Sequence, residues 1–395
     1  MKVKFAVIAD LSNVHFDGRT VALRLDRGRI AAIDAAPGPA TAVIMPLPVE
    51  PHVHLDKTFT AHRCHAQKPG LFGSIEAMAT DKVNWTANDL RNRIGRGLAD
   101  AFANGVAALR SHVDWTEPGV PLAWSVMGEV AQDWRGRMVL QRAALVSLEL
   151  LADAKHGPVI AAKIAKDGGV LGTFIYRHDD LSERLARVFA LAVRHGLLLD
   201  FHVDEGLEVE AQGFDAVVAL TAKHGLEGRV LCGHACSLST RPENDVARVI
   251  DAAAHAGVAL TVMPTTNLYL QDMTPGRTPR LRGLAPIHEL RAAGVQVLLG
   301  ADNVADPFYP YGVYDPVDTL RLAAIAAHIN PAEWLEAITT NPARAMGVTV
   351  PNIAVGALAD FLLITGADWA AAISNPRANR QIFRAGQATL QKAAA

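Results

Sequence analysis

The sequence predicts an α/β fold, a (β/α)8 TIM barrel with a small β-sandwich domain formed by both chain termini. Three observations carry this. Apolar, β-branched runs alternate with alanine-rich helical stretches through most of the chain, as consecutive βα units of a parallel sheet do. The two ends read instead as short strands separated by tight turns. Nearly every central apolar run stops at a His or an Asp, the residue types found where barrel strands meet catalytic loops.

Taken in order, KFAVIADLS, a turn at Asp17-Gly18, and TVALRLDRGRIAAID with a second turn at Arg27-Gly28 predict a small antiparallel β unit. VIMPLPV then reads as the end of a buried strand leading into EPHVHLDKTF. LRSHVDW, MVLQRAALVSL, GVLGTFIY, LLLDFHVDE, RVLCGHACS, ALTVMPTT and VQVLLGADN follow as strands, separated by helical segments such as DDLSERLARVFALAVRHG. No GxGxxG turn follows the first strand, which argues against a doubly wound dinucleotide fold. Near the end, GALADFLLI and QIFRAGQATLQ return to the β pattern, before a short alanine tail. The expected division is residues 1–46 plus 348–395 for the small β-sandwich and 47–347 for the barrel.

Composition narrows the function. The chain has 395 residues, 50% hydrophobic and 20% charged, with a formal net charge of −2. That suits a large globular core, carries no basic footprint for nucleic acid or a membrane surface, and favours a small-molecule substrate. Only three cysteines occur, Cys64, Cys232 and Cys236, and the opening residues lack a secretory leader pattern, so the expected location is cytoplasmic. A homo-oligomer is allowed by the composition but not specified by it.

The strand-end residues carry the chemistry. His52 and His54 stand one residue apart, so strand alternation sends both imidazoles to one face. His112 with Asp114, His202 with Asp204 and Glu205, His234, and Asp302 close other predicted strands. Imidazoles and a carboxylate drawn from several strands form a nitrogen and oxygen donor set suited to zinc or divalent iron, with a position left for water. The other histidines, among them His62, His65, His156, His195, His224, His255 and His328, fall in loops or helices and read as ordinary polar residues.

Four stretches, EPHVHLDKTF, RSHVDW, DFHVDE and GADNVADPFYPYG, resemble the amidohydrolase superfamily and within it the cytosine deaminase branch. NLYLQ, RGLAPIHEL, NPARAMG and GALADFLLI extend the likeness over almost the whole chain. The resemblance implies that His52, His54, His202 and Asp302 bind one divalent metal ion, zinc or iron. It also implies a metal-dependent aminohydrolase that attacks a ring carbon of an amino-substituted nitrogen heterocycle with a metal-bound hydroxide and releases ammonia. In that reading Glu205 shuttles protons, His234 hydrogen-bonds the attacking water or the developing alkoxide, and Asp302 is both ligand and base. Glu50 and Asp56 support the orientation of the paired histidines, and His112 supports the metal shell or contacts substrate.

The chain departs from that branch in four places, all bearing on substrate. Ser147 stands where a glutamine amide would pair with the pyrimidine edge, and a hydroxyl cannot match both edge groups. Phe308 stands where tryptophan is frequent, and Asn303 where a second Asp is usual. Arg177 and His178 in TFIYRHDD offer partners for a more acidic or carbonyl-rich ring, or else begin a salt-bridged helix. Cytosine is therefore not the expected substrate. The alternatives are a cyclic amide or lactam hydrolase, a triazine amine hydrolase, and a non-catalytic metal-containing binding protein.

Overall fold

The computed structural model describes residues 6–7, 10–375 and 378–390. Residues 4–5 and 8–9 of the first expected strand, and the alanine tail, lie outside them. One compact unit takes in the chain up to Val49, Ala99–Ala107 and the chain from Asp315 onward; the other comprises Glu50–Leu98 and Ala108–Tyr314.

Five strands open the chain: β1 (Ala6–Val7), β2 (Asp10–Phe16), β3 (Arg19–Asp26), β4 (Arg29–Ala35) and β5 (Ala42–Pro46). Eight more build the barrel: β6 (Val49–Val53), β7 (Ala108–Trp115), β8 (Val139–Val146), β9 (Val170–Ile175), β10 (Leu199–Val203), β11 (Val230–His234), β12 (Ala259–Val262) and β13 (Val297–Leu299). The last three are β14 (Phe361–Thr365), β15 (Arg380–Arg384) and β16 (Gln387–Leu390).

The terminal strands form one eight-stranded sheet in the order β1-β16-β15-β14-β5-β2-β3-β4, so the small β domain is made by both chain ends. All its pairings are antiparallel except β2 with β5. Alternation in β3 buries Val21, Leu23 and Leu25, and these pack in one cluster with Ile30, Phe361 and Phe383. VIMPLPV is not one strand. Pro46 ends β5 in this sheet and Pro48 precedes β6, because neither proline can donate to a ladder.

The barrel strands lie in sequence order from β6 to β13. Most are buried along their whole length, which is why they read as continuous apolar runs. Helix Leu181–His195 shows the other half of the unit: Leu185, Val188, Phe189 and Ala192 recur on one buried face. This helix and the two after it stop at Gly196, Gly225 and Gly257, with φ of 64°, 61° and 62°, the left-handed conformation that releases the chain into the next strand. The ring closes where Val53 bridges Asp302: the Asp302 N–H donates to the His52 carbonyl at 2.8 Å, and the His54 N–H donates to the Asp302 carbonyl at 3.3 Å. Among the described residues no helix is long and apolar enough to cross a membrane.

Candidate active site

The strand ends bring four of the expected residues to one point. His52 Nε2 and His54 Nε2 each lie 3.1 Å from His202 Nε2, and Asp302 Oδ1 lies 3.2 Å from His54 Nε2 and 3.7 Å from His52 Nε2. All four side chains are buried. Gly233 on β11 makes room for His52, since a Cβ there would meet His52 Cε1 at 2.9 Å. Asp204, His234 and Asp302 take left-handed backbone conformations, with φ of 48°, 72° and 63°, where the chain turns away from its strands. Such strain is held in place by the surrounding fold and concentrates at functional sites.

This donor set fits a metal ion. Burial first, and then neighbouring imidazoles, holds His52 and His202 well below the ordinary histidine range, so both rings are neutral. Neutral rings whose Nε2 atoms converge cannot all donate to one another, whereas their lone pairs can share a cation. Donor atoms about 2.0–2.2 Å from a common centre sit roughly 3.0–3.6 Å apart, close to the spacing found. Burial favours the neutral form of Asp302, but His54 and His234 outweigh it and keep the carboxylate below its usual range. Among the described residues, buried Asp302 Oδ2 and His234 Nε2 have no hydrogen-bond partner, which leaves both to serve whatever enters the site.

Glu205 and His234 flank this centre. Their closest approach is 3.7 Å, from Glu205 Oε2 to His234 Nε2. Burial, then the charge of Asp302, pushes the Glu205 carboxyl well above its ordinary value, and burial lowers His234 to about 4. A buried carboxyl that holds its proton beside a neutral imidazole can perform acid–base chemistry near neutral pH.

The supporting residues differ in some respects from expectation. Glu50 does support its neighbours: Oε1 accepts the N–H of His52 and of Ala301, each at 3.2 Å, and so ties β6 to the turn carrying Asp302. Asp56 instead accepts the Asp114 N–H at 3.1 Å. His112 lies behind the centre, its ring 4.0 Å from that of His52 and its Nε2 3.8 Å from Asp200 Oδ2, and it does not line the cavity. Asp200 itself is clamped by buried Arg110 at 2.6 Å.

A cavity of about 300 Å³ opens onto His54, His202, Glu205 and Asp302. Ser147, Asn303 and Phe308 line it, with Asn303 Nδ2 held by Asp306 Oδ2 at 2.7 Å. Arg177 is exposed and does not line it; its neighbour His178 does, with Nδ1 3.0 Å from Glu149 Oε1.

Three contributors escaped the sequence reading. Lys57, inside HLDK, pairs with Asp114 at 2.8 Å on the cavity wall. Burial lowers its pKa, but Asp114 and Asp56 outweigh that and raise it above the ordinary lysine value. Asn267, inside NLYLQ, contacts His234. Helix Gly70–Lys82 supplies Leu71, Ile75, Met78 and Lys82 to one wall, a role no local pattern announces.

Residues 159–384 match the family model described as the amidohydrolase family. A pterin deaminase of Rhizobium rhizogenes (strain K84) is 35% identical over 349 residues, covering 87% of this chain and 80% of its own. The chain belongs to the amidohydrolase family. Among solved structures, this amidohydrolase superposes on a 5-methylcytosine deaminase from Klebsiella pneumoniae liganded with 5-fluorocytosine, with a TM-score of 0.86, 23% identity and 98% coverage of both chains. It also superposes on an N-isopropylammelide isopropylaminohydrolase from Burkholderia multivorans, with a TM-score of 0.76, 25% identity, and coverage of 96% of this chain and 97% of that one. The motif likeness to this superfamily and its deaminases is thereby met.

Proposed function

We propose that this amidohydrolase is a metal-dependent deaminase of a flat bicyclic heterocycle of the pteridine type, replacing an exocyclic amino group by oxygen and releasing ammonia. The identity to the Rhizobium rhizogenes pterin deaminase, over most of both chains, carries this reading. The cavity supports it. Phe174 and Phe308 line it together with Leu71, Ile75 and Met78 of helix Gly70–Lys82, which suits a fused aromatic ring, and Ser147 supplies no amide for a pyrimidine edge.

His52, His54, His202 and Asp302 would hold one zinc or iron ion, which when bound supplies the Lewis acidity that makes water nucleophilic near neutral pH. Asp302 Oδ2 is placed to take a proton from the attacking water. Glu205 gives its proton to the ring nitrogen next to the carbon under attack and regains one from the added hydroxyl as the carbonyl forms, while the proton taken up by Asp302 passes to the departing amine. His234 steadies the oxygen that adds to the ring. The three cysteines are free and buried, which suits the expected cytoplasmic setting. We assign the catalytic domain to residues 47–347 and the small β domain to 1–46 with 348–395.

Ammonia release and the loss of pterin absorbance, measured with zinc- and iron-loaded protein, test the reading. Turnover of pterin with little turnover of cytosine is expected. Metal-loaded protein that leaves pterins unchanged yet hydrolyses an N-alkylated aminotriazine would replace it with the second reading, a triazine amine hydrolase. That alternative is favoured by the superposition on the Burkholderia multivorans enzyme.

A further inference from the structure

Asn267 belongs to the short helix Pro264–Leu270 that follows β12, and its side chain is fully buried. Its backbone is held at both ends: its N–H donates to the Met263 carbonyl at 3.0 Å, and its carbonyl accepts from the Gln271 N–H at 2.9 Å. From this fixed base the side-chain amide meets His234, with Nδ2 3.0 Å from Nδ1 of the ring. The far ring nitrogen, Nε2, faces the reacting centre, 3.7 Å from Glu205 Oε2 and grouped with Asp302.

Two arrangements of this contact are chemically possible, and they give His234 opposite roles. If the amide nitrogen faces the ring, Nδ1 accepts and the ring proton sits on Nε2. If the amide oxygen faces the ring, Nδ1 carries the proton and Nε2 presents a lone pair. The second arrangement would set a lone pair against the Asp302 carboxylate in a buried site, where like charges and dipoles are poorly screened. The first sets an N–H against it. Its cost is visible in the fold: Asn267 Oδ1 is buried and has no hydrogen-bond partner among the described residues.

We propose that Asn267 is a positioning residue that fixes His234 as the Nε2–H tautomer, so that His234 donates a hydrogen bond at the reacting centre and cannot accept a proton there. The contact itself is independent of substrate; its catalytic meaning rests on the deaminase reading above. His234 then stabilises the oxygen added to the ring carbon by donating to it, and the proton of the attacking water must pass to a carboxylate. A histidine acting as base would need the reverse arrangement.

The test is long-range proton–nitrogen correlation of the full chain labelled with 15N-histidine, metal-free and zinc-loaded, with His234 assigned by its loss in His234→Gln. Wild type should show a protonated-type Nε2 and an unprotonated-type Nδ1. Asn267→Asp, an acceptor only, should move the proton to Nδ1. Asn267→Ala, a second variant in case the first folds poorly, should give a mixture of tautomers. In turnover assays Asn267→Ala should lose kcat by about tenfold to a hundredfold with KM within about threefold, as expected when an interaction made mainly in the transition state is weakened. An Nδ1–H tautomer in wild type overturns the proposal, and so does an unchanged Nε2–H tautomer in both variants. The spectra read the tautomer whether or not pterins are turned over, so failure here and failure of the deaminase reading are separable.

Discussion

The backbone N–H of Asp302 donates to the carbonyl of His52 at 2.8 Å, so the bond that closes the barrel joins two residues whose side chains converge in the candidate metal site. Neighbouring His54 returns a bond to the Asp302 carbonyl. Registry of the closure and assembly of the donor set are therefore one event. A slip of one residue would turn both histidines away from Asp302.

Asp302→Asn separates the two roles, because it keeps the backbone pairing and the side-chain shape while removing the carboxylate. The variant should retain the circular dichroism of the parent, bind less metal by elemental analysis, and lose at least about a hundredfold in kcat, within the range attributed to positioned acid–base groups. Full metal content with full turnover would show that Asp302 is neither ligand nor base.

Glu205→Gln should keep its metal and lose about a hundredfold to ten-thousandfold in kcat, since the amide can hydrogen-bond but cannot carry a proton between water and ring. Steady-state kinetics beside metal analysis reads this directly. A variant that retained normal turnover would point to a binding role for Glu205 and reopen the non-catalytic alternative.

Ser147 lies on the cavity wall, at the position where the resemblance to cytosine deaminases implies a ring-pairing glutamine amide. Ser147→Gln should shift kcat/KM from pterin toward cytosine by about tenfold or more, because a site that pairs ring-edge groups discriminates sharply between rings. An unchanged ratio would show that the substrate edge lies elsewhere, with His178 and Glu149 the next residues to vary.

Arg63 bridges Asp81 and Asp89, joining the cavity-wall helix Gly70–Lys82 to helix Ala87–Ala103. Hydrogen bonds from Arg63, against the opposing effect of burial, lower Asp89 to about 2. A carboxylate depressed in the folded state stabilises above its unfolded pKa of about 3.9, and that contribution fades as pH falls from about 4 toward 2. Acid should therefore loosen this clamp, followed through the fluorescence of Trp85, whose Nε1 donates to Asp81 at 2.8 Å. Asp89→Asn should lack that component of the acid transition; an identical acid profile would remove the clamp from the account.

The barrel and the cluster at its strand ends were legible because buried parallel strands leave unbroken apolar runs, and a His or Asp ending each run stands out. The small β domain was legible from its turns and alternation. What escaped notice depends on contacts between distant positions. Asn267 is a plain amide in a helical stretch until the fold sets it against His234. Helix Gly70–Lys82 builds a cavity wall although Phe72 is 56% exposed and Ile75 40%, so its apolar residues form no clean stripe. Whether Arg177 or His178 reaches the cavity turns on one residue in a loop, below what spacing resolves. VIMPLPV showed its buried character, yet nothing local told that its prolines divide the run between separate sheets.

The sheet order β1-β16-β15-β14-β5 also has a consequence for biosynthesis. A ribosome delivers β5 before the barrel and its partner β14 only after it. While the barrel segments emerge, one flank of β5 is an open ladder of amides and carbonyls, a template for intermolecular pairing. A chain stopped before Phe361 would keep that flank open for good, so nonsense and truncation products of this protein should precipitate even when every residue of the candidate site has already been made.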